Sequence, residues 1–108
     1  MSDMKQSLDA AMDRRLTATG DRAMAHYGLI HQIMKLGEEA AELSRAVIRQ
    51  VNYPKNKEAT ENLKEEIIDV MIVTHQILPL LMTMHEYHSR LTSKLDRLDA
   101  RIEKEKGQ

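Results

Sequence analysis

Apolar residues return every three or four positions along most of this chain, the spacing of amphipathic helices. Met4, Leu8, Ala11, Met12 and Leu16 form a first stripe, with Ser2 placed to cap it. Gly20 is expected to break or bend that helix. A short helical stretch from Asp21 to Tyr27 then closes at Gly28. Leu29, Ile33, Leu36, Ala40, Leu43 and Val47 define a second long helix reaching about Val51. Asn52-Tyr53-Pro54-Lys55-Asn56 reads as a loop, because Pro and Asn are turn formers. A third helix starts near Lys57 with Asn56 as its cap. It carries Leu63, Ile67, Val70, Val73 and Ile77 on one stripe and is expected to end or kink at Pro79. Thr83-Met84-His85-Glu86 has the form of a capping box for a fourth helix. Leu91, Leu95, Leu98 and Ile102 continue it as a short coiled-coil-like seam, suited to packing within a bundle or to contact with another copy. Fraying is expected from Lys104 onward. No segment alternates with the period of a strand. The pattern predicts an all-α fold, an antiparallel bundle of four to five helices, in a single domain over residues 1–108 with its core at about 22–102.

Composition narrows the chemistry. Charged residues make up 31% and hydrophobic ones 42%, a globular balance. The net charge of −1 supplies no broad basic field for nucleic acid or an anionic membrane. The chain has no cysteine, which excludes a disulfide framework, a thiolate zinc site and a cysteine nucleophile. Its greasiest segment, Ile77 to Met82, is too short to span a bilayer. Met1-Ser2-Asp3-Met4-Lys5 lacks the apolar core of a signal peptide, so a cytoplasmic location is expected. A nucleobase could stack only on Tyr27, Tyr53, Tyr87 or a histidine. A domain this small, with more apolar stripe than one bundle needs, is expected to form a homodimer or homotetramer.

Two acidic runs stand out, Glu38-Glu39-Ala40-Ala41-Glu42 and Glu65-Glu66-Ile67-Ile68-Asp69. A spacing of three residues puts Glu39 and Glu42, and likewise Glu66 and Asp69, on one helix face. At 100° per residue, Glu39 lies roughly 60–80° from the centre of its apolar stripe, and Glu66 falls within the edge of its own. Gln32 and Lys35 share the flank of Glu39; Asn62 and Gln76 lie near Asp69. Antiparallel packing through the stripes would bring the two acidic flanks together. Carboxylates that converge at a bundle edge repel one another unless a cation intervenes. An oxygen-only ligand set suits Mg²⁺ or Mn²⁺. Glu38 and Glu65 point away from the stripes and read as solvated.

The run His26-Tyr27-Gly28, His31-Gln32, Lys35, Glu38-Glu39-Ala40-Ala41-Glu42-Leu43, followed by Glu65-Glu66-Ile67-Ile68-Asp69-Val70, resembles the MazG-like all-α nucleoside triphosphate pyrophosphatase superfamily. That superfamily carries ExxE, a spacer and ExxD, which match Glu39 to Glu42 and Glu66 to Asp69. The likeness extends over about residues 22–102. It implies hydrolysis of the α–β phosphoanhydride of a nucleoside triphosphate, with Mg²⁺ held by Glu39, Glu42, Glu66 and Asp69. It further implies phosphate contacts from Lys94 and Arg97, and from Lys35 one turn before Glu39. A carboxylate not committed to metal would take the proton of the attacking water, with Glu38 and Glu39 as candidates. Phosphoribosyl-ATP pyrophosphohydrolase has a similar acidic signature and is the nearest alternative. A non-catalytic helical interaction module is another. A di-iron bundle needs Glu-x-x-His pairs, and none of the five histidines lies three after a Glu.

Overall fold

The computed structural model describes residues 2–107, and the side chains of residues 9–107. The described residues form four helices and no strand: α1 (Ser2–Tyr27), α2 (Leu29–Asn52), α3 (Lys57–Leu81) and α4 (Met84–Lys106). No helix is long and apolar enough to cross a membrane. The expected capping by Ser2, and the placement of the Met4 and Leu8 side chains, lie outside the described side chains. One compact unit ends at Leu78 and a second begins at Pro79.

The helix ends follow local chemistry. Gly28 has φ 86° and ψ 164°, a conformation open in practice only to glycine. Its N–H closes α1 on the carbonyl of Met24, and its carbonyl opens α2 by accepting from the N–H of Gln32. Asn56 caps α3 as expected, accepting at Oδ1 from the N–H of Ala59 at 2.9 Å. Thr83 caps α4 by accepting from the N–H of Glu86 at 3.1 Å. Only that half of the capping box forms, because the Glu86 carboxylate accepts from Arg90 instead. Two expectations are corrected. Gly20 does not interrupt the first helix: it is buried in the middle of α1, where a Cβ would stand 3.3 Å from Cγ of Gln76. It is glycine for close approach, not for a turn. Pro79 stands inside the last turn of α3, which stops two residues on at Leu81, and the second unit starts at Pro79. Lys104 onward remains helical to Lys106, closed by the Gly107 N–H on the carbonyls of Glu103 and Lys104.

Within the first unit, α2 and α3 run antiparallel. Gln32 meets Gln76, Glu42 and Glu39 meet Glu66, and Arg49 meets Glu58, so positions rise on one helix as they fall on the other. The apolar core is small. Ala46, Ala59, Val73 and Ile77 are the buried hydrophobic residues among those described. Buried beside them are three polar side chains, Gln32, Glu39 and Gln76. The inward face of α2 therefore runs through Gln32, Leu36, Glu39, Leu43, Ala46 and Gln50. It is rotated by roughly 60° from the stripe read in the sequence. Ile33 and Val47, expected to pack inward, are 41% and 44% exposed.

Candidate metal centre

The antiparallel register of α2 and α3 brings three of the four sequence-identified acids together. Glu39, Glu42 and Glu66 each offer a carboxylate oxygen within 4.8 Å of the others. Asp69 is outside this group, yet close enough for its charge to act on Glu66. Glu39 is the most enclosed member at 7% exposed, Glu66 is half-buried, and Glu42 faces outward. Position on the helix accounts for this order. Glu39 lies on the inward face of α2 and Glu66 on that of α3, while Glu42 sits one turn on at the margin.

The electrostatics are unresolved by the protein's own groups. Glu39 Oε1 pairs with Lys35 Nζ at 3.1 Å, one helical turn away. Glu39 Oε2 and Glu66 Oε2 are buried and have no hydrogen-bond partner. A buried polar atom without a partner is costly, and a charged one more so. Burial, then the charges of Glu42, Asp69 and Glu39, and last a hydrogen bond with Glu42, push the carboxyl of Glu66 above the usual carboxylate range. Lys35 is displaced upward by its hydrogen bond to Glu39 and by the surrounding carboxylates. Two unpartnered buried oxygens on members of a three-carboxylate cluster fit a hard, oxygen-seeking cation.

The raised carboxyl of Glu66 has a sign that can be measured. A folded-state pKa above the unfolded value means that protonation favours the fold. That contribution is complete below the unfolded pKa and is lost as pH rises through the folded one. The cation-free protein is therefore expected to lose thermal stability between mildly acidic and neutral pH by more than Glu66→Gln does, the variant melting higher at neutral pH. Saturating Mn²⁺ should narrow the difference. A wild type and variant with parallel melting profiles against pH would show that Glu66 feels no such strain.

The remaining candidates separate clearly. Lys35 is at the cluster. Glu38 is exposed, with a long contact of 3.9 Å to Lys35, and lies beside the cluster without joining it. Lys94 and Arg97 are exposed on α4, in the second unit, and form no ion pair among the described residues. Lys35 is a built-in counter-ion to Glu39 and so competes with any cation there. Removing its charge as Lys35→Gln is expected to tighten Mn²⁺ binding about two- to fivefold, the scale of a partly exposed ion pair. Titration followed by Mn²⁺ paramagnetic resonance checks it, and weaker binding would contradict the placement.

Sequence reasoning placed Gln32 and Gln76 on the acidic flanks without joining them. Gln32 Nε2 donates to Gln76 Oε1 at 2.6 Å, bridging α2 and α3 two turns before Glu39 and almost three after Glu66. The signal was available: in an antiparallel pair, a residue before the acid on one helix meets a residue after the acid on the other. Comparison with models of protein families, with curated proteins and with solved structures finds no match to this chain.

Proposed function

We propose that this chain is a divalent-metal-dependent nucleotide pyrophosphohydrolase of the MazG-like type. It converts a nucleoside or deoxynucleoside triphosphate and water to the monophosphate and pyrophosphate. The observation that carries this reading is the convergence of Glu39, Glu42 and Glu66 from two helices, with two buried oxygens left unpartnered. Those three residues would hold Mg²⁺ or Mn²⁺, with Asp69 supplying a further carboxylate from the next turn of α3. A cation there supplies charge neutralisation for phosphate oxygens and makes water a stronger acid.

The chain's own groups do the rest. Glu39 has two oxygens in different settings, Oε1 paired with Lys35 and Oε2 buried without a partner. Lys35 carries a mobile ammonium at the cluster's edge, suited to a phosphate oxygen once Glu39 is otherwise engaged. Glu38, solvated and next in sequence, can accept a proton from the attacking water and release it to solvent. Lys94 and Arg97 belong to α4 in the second unit, and a phosphate-binding role for them rests on the sequence resemblance alone.

The active form is a homodimer or homotetramer. α2 is apolar on a second side, through Ile30, Ile33, Met34, Val47, Ile48 and Val51, all exposed. α3 exposes Ile67, Ile68 and Met71. Apolar surface on this scale is uncommon on a monomer.

The deciding measurement is pyrophosphate release from a panel of ribo- and deoxyribonucleoside triphosphates, with and without Mg²⁺ or Mn²⁺. Cation-dependent release is expected. A folded protein that turns over none of them would sink the proposal and favour a helical interaction module.

A further inference from the structure

Beside the acidic cluster lies a cleft of about 480 Å³. Tyr27, His31, Gln32, Lys35 and Gln76 line it, so α1, α2 and α3 of one unit all contribute. Lys35 belongs to both places: it borders the cleft and pairs with Glu39. The rings of Tyr27 and His31 are stacked, with centroids 4.8 Å apart and planes 13° from parallel. Tyr27 is 53% exposed, which leaves ring surface open. Gln32 and Gln76 are 5% and 9% exposed. Gly20 lets α1 close against Gln76, because a Cβ there would crowd Gln76 Cγ. The Gln76 side chain is thus seated from one side by α1 and from the other by Gln32.

We propose that this cleft is the nucleobase subsite, and that the Gln32–Gln76 pair reads the base edge in a way that admits both keto and amino bases. The inference rests on the nucleotide reading above and deepens it. Its physical basis is the hydrogen-bond chain. His31 Nδ1 lies 2.9 Å from Gln32 Oε1, and Gln32 Nε2 donates to Gln76 Oε1. Gln76 makes no other side-chain hydrogen bond among the described residues, so its Nε2 remains a free donor, suited to a base carbonyl. Turn both amides over and move the imidazole proton from Nδ1 to Nε2. Every bond survives with its direction reversed: Gln76 Nε2 donates to Gln32 Oε1, and Gln32 Nε2 donates to His31 Nδ1. Gln76 Oε1 is then the free group, suited to an exocyclic amine. No net proton enters or leaves. Two buried amides and one imidazole therefore form a relay with two states of equal hydrogen-bond count. The Tyr27–His31 stack offers the base a sequence-tolerant aromatic surface.

Binding of nucleoside monophosphates, which are not substrates, tests this by isothermal titration of the intact protein in Mg²⁺. Wild type is expected to bind UMP and CMP within about threefold of each other, and likewise IMP and AMP. Gln76→Glu presents acceptors only and is expected to favour CMP over UMP by about tenfold, the effect of one unmade hydrogen bond at an enclosed site. Gln76→Met keeps the shape without the amide and should weaken all four by about as much. Circular dichroism reports folding; if Gln76→Glu does not fold, Gln76→Met decides. An unchanged CMP-to-UMP ratio in a folded Gln76→Glu, unchanged affinity in Gln76→Met, or no monophosphate binding by wild type at millimolar concentration would overturn the proposal. Pyrophosphate release alongside an unchanged ratio removes the subsite and leaves the reaction. Selective monophosphate binding without release supports the subsite and removes the reaction.

Discussion

Replacing Glu39 or Glu66 by glutamine is expected to reduce cation-dependent pyrophosphate release by roughly a thousandfold or more, the several kcal/mol that a catalytic cation contributes to transition-state stabilisation. Both variants should stay folded. Glutamine keeps the volume and the polar contacts of glutamate, and at Glu66 it relieves a carboxyl that burial and neighbouring charge already push toward the neutral form. At Glu66, loss of activity together with gained stability is the pattern of a site under electrostatic strain; Glu39→Gln also gives up the ion pair with Lys35 and carries no such gain. Glu65→Gln is the control: Glu65 is exposed and one position away, and it should change turnover little. Asp69→Asn probes the fourth acid. The structure groups Glu39, Glu42 and Glu66 without it, so its loss is expected to be smaller than theirs. The measurements are pyrophosphate release at saturating Mg²⁺ and thermal melts of the same preparations. Near-wild-type turnover in both Glu39→Gln and Glu66→Gln would show that the chemistry lies elsewhere.

Helix ends and the acidic pair were the legible parts of this chain, because each depends on residues close in sequence. Asn56 and Thr83 cap through atoms three residues away, and Gly28 sets its own φ. The acids declared themselves by sitting three apart against an apolar stripe. What local pattern could not supply was the rotation of α2. The apolar arc of that helix is wide enough for two contacts, so the stripe's centre falls between the inward and outward faces. Glu39 was read as a flank residue and is instead among the most buried side chains. Gly20 shows the same limit. Its lack of a side chain serves a neighbour more than fifty positions away, Gln76, and nothing nearby in sequence distinguishes that use from a helix break. The Gln32–Gln76 bridge, too, exists only once the antiparallel register is known.

Placing a charge on the outward apolar faces, as Ile48→Glu or Met71→Glu, is expected to dissociate the protein and to destabilise it. Only Ala46, Ala59, Val73 and Ile77 are buried hydrophobics among the described residues, two of them alanines. At about 25 cal/mol per Å², so small a core leaves little to set against the entropy of ordering two long helices. In the proposed oligomer, contacts between the outward faces of neighbouring copies would supply the difference. Ile48 and Met71 are each 58% exposed, and covering a side chain of that size contributes about 1.5–3 kcal/mol. In a two-fold dimer each substitution counts twice, and a glutamate there adds the cost of burying charge. Dimer affinity should therefore fall by roughly a thousandfold or more. Met12→Glu is the matched control: Met12 is 64% exposed and belongs to α1, not to the exposed apolar faces of α2 and α3, and a charge on a solvated helix position shifts stability by no more than about 0.5 kcal/mol. Sedimentation equilibrium and concentration-dependent melting separate the cases. If the faces stay open to water in solution, Ile48→Glu and Met71→Glu will behave like Met12→Glu. They will then leave both mass and melting temperature where they were, and the stability of α2 and α3 will have to come from within one chain.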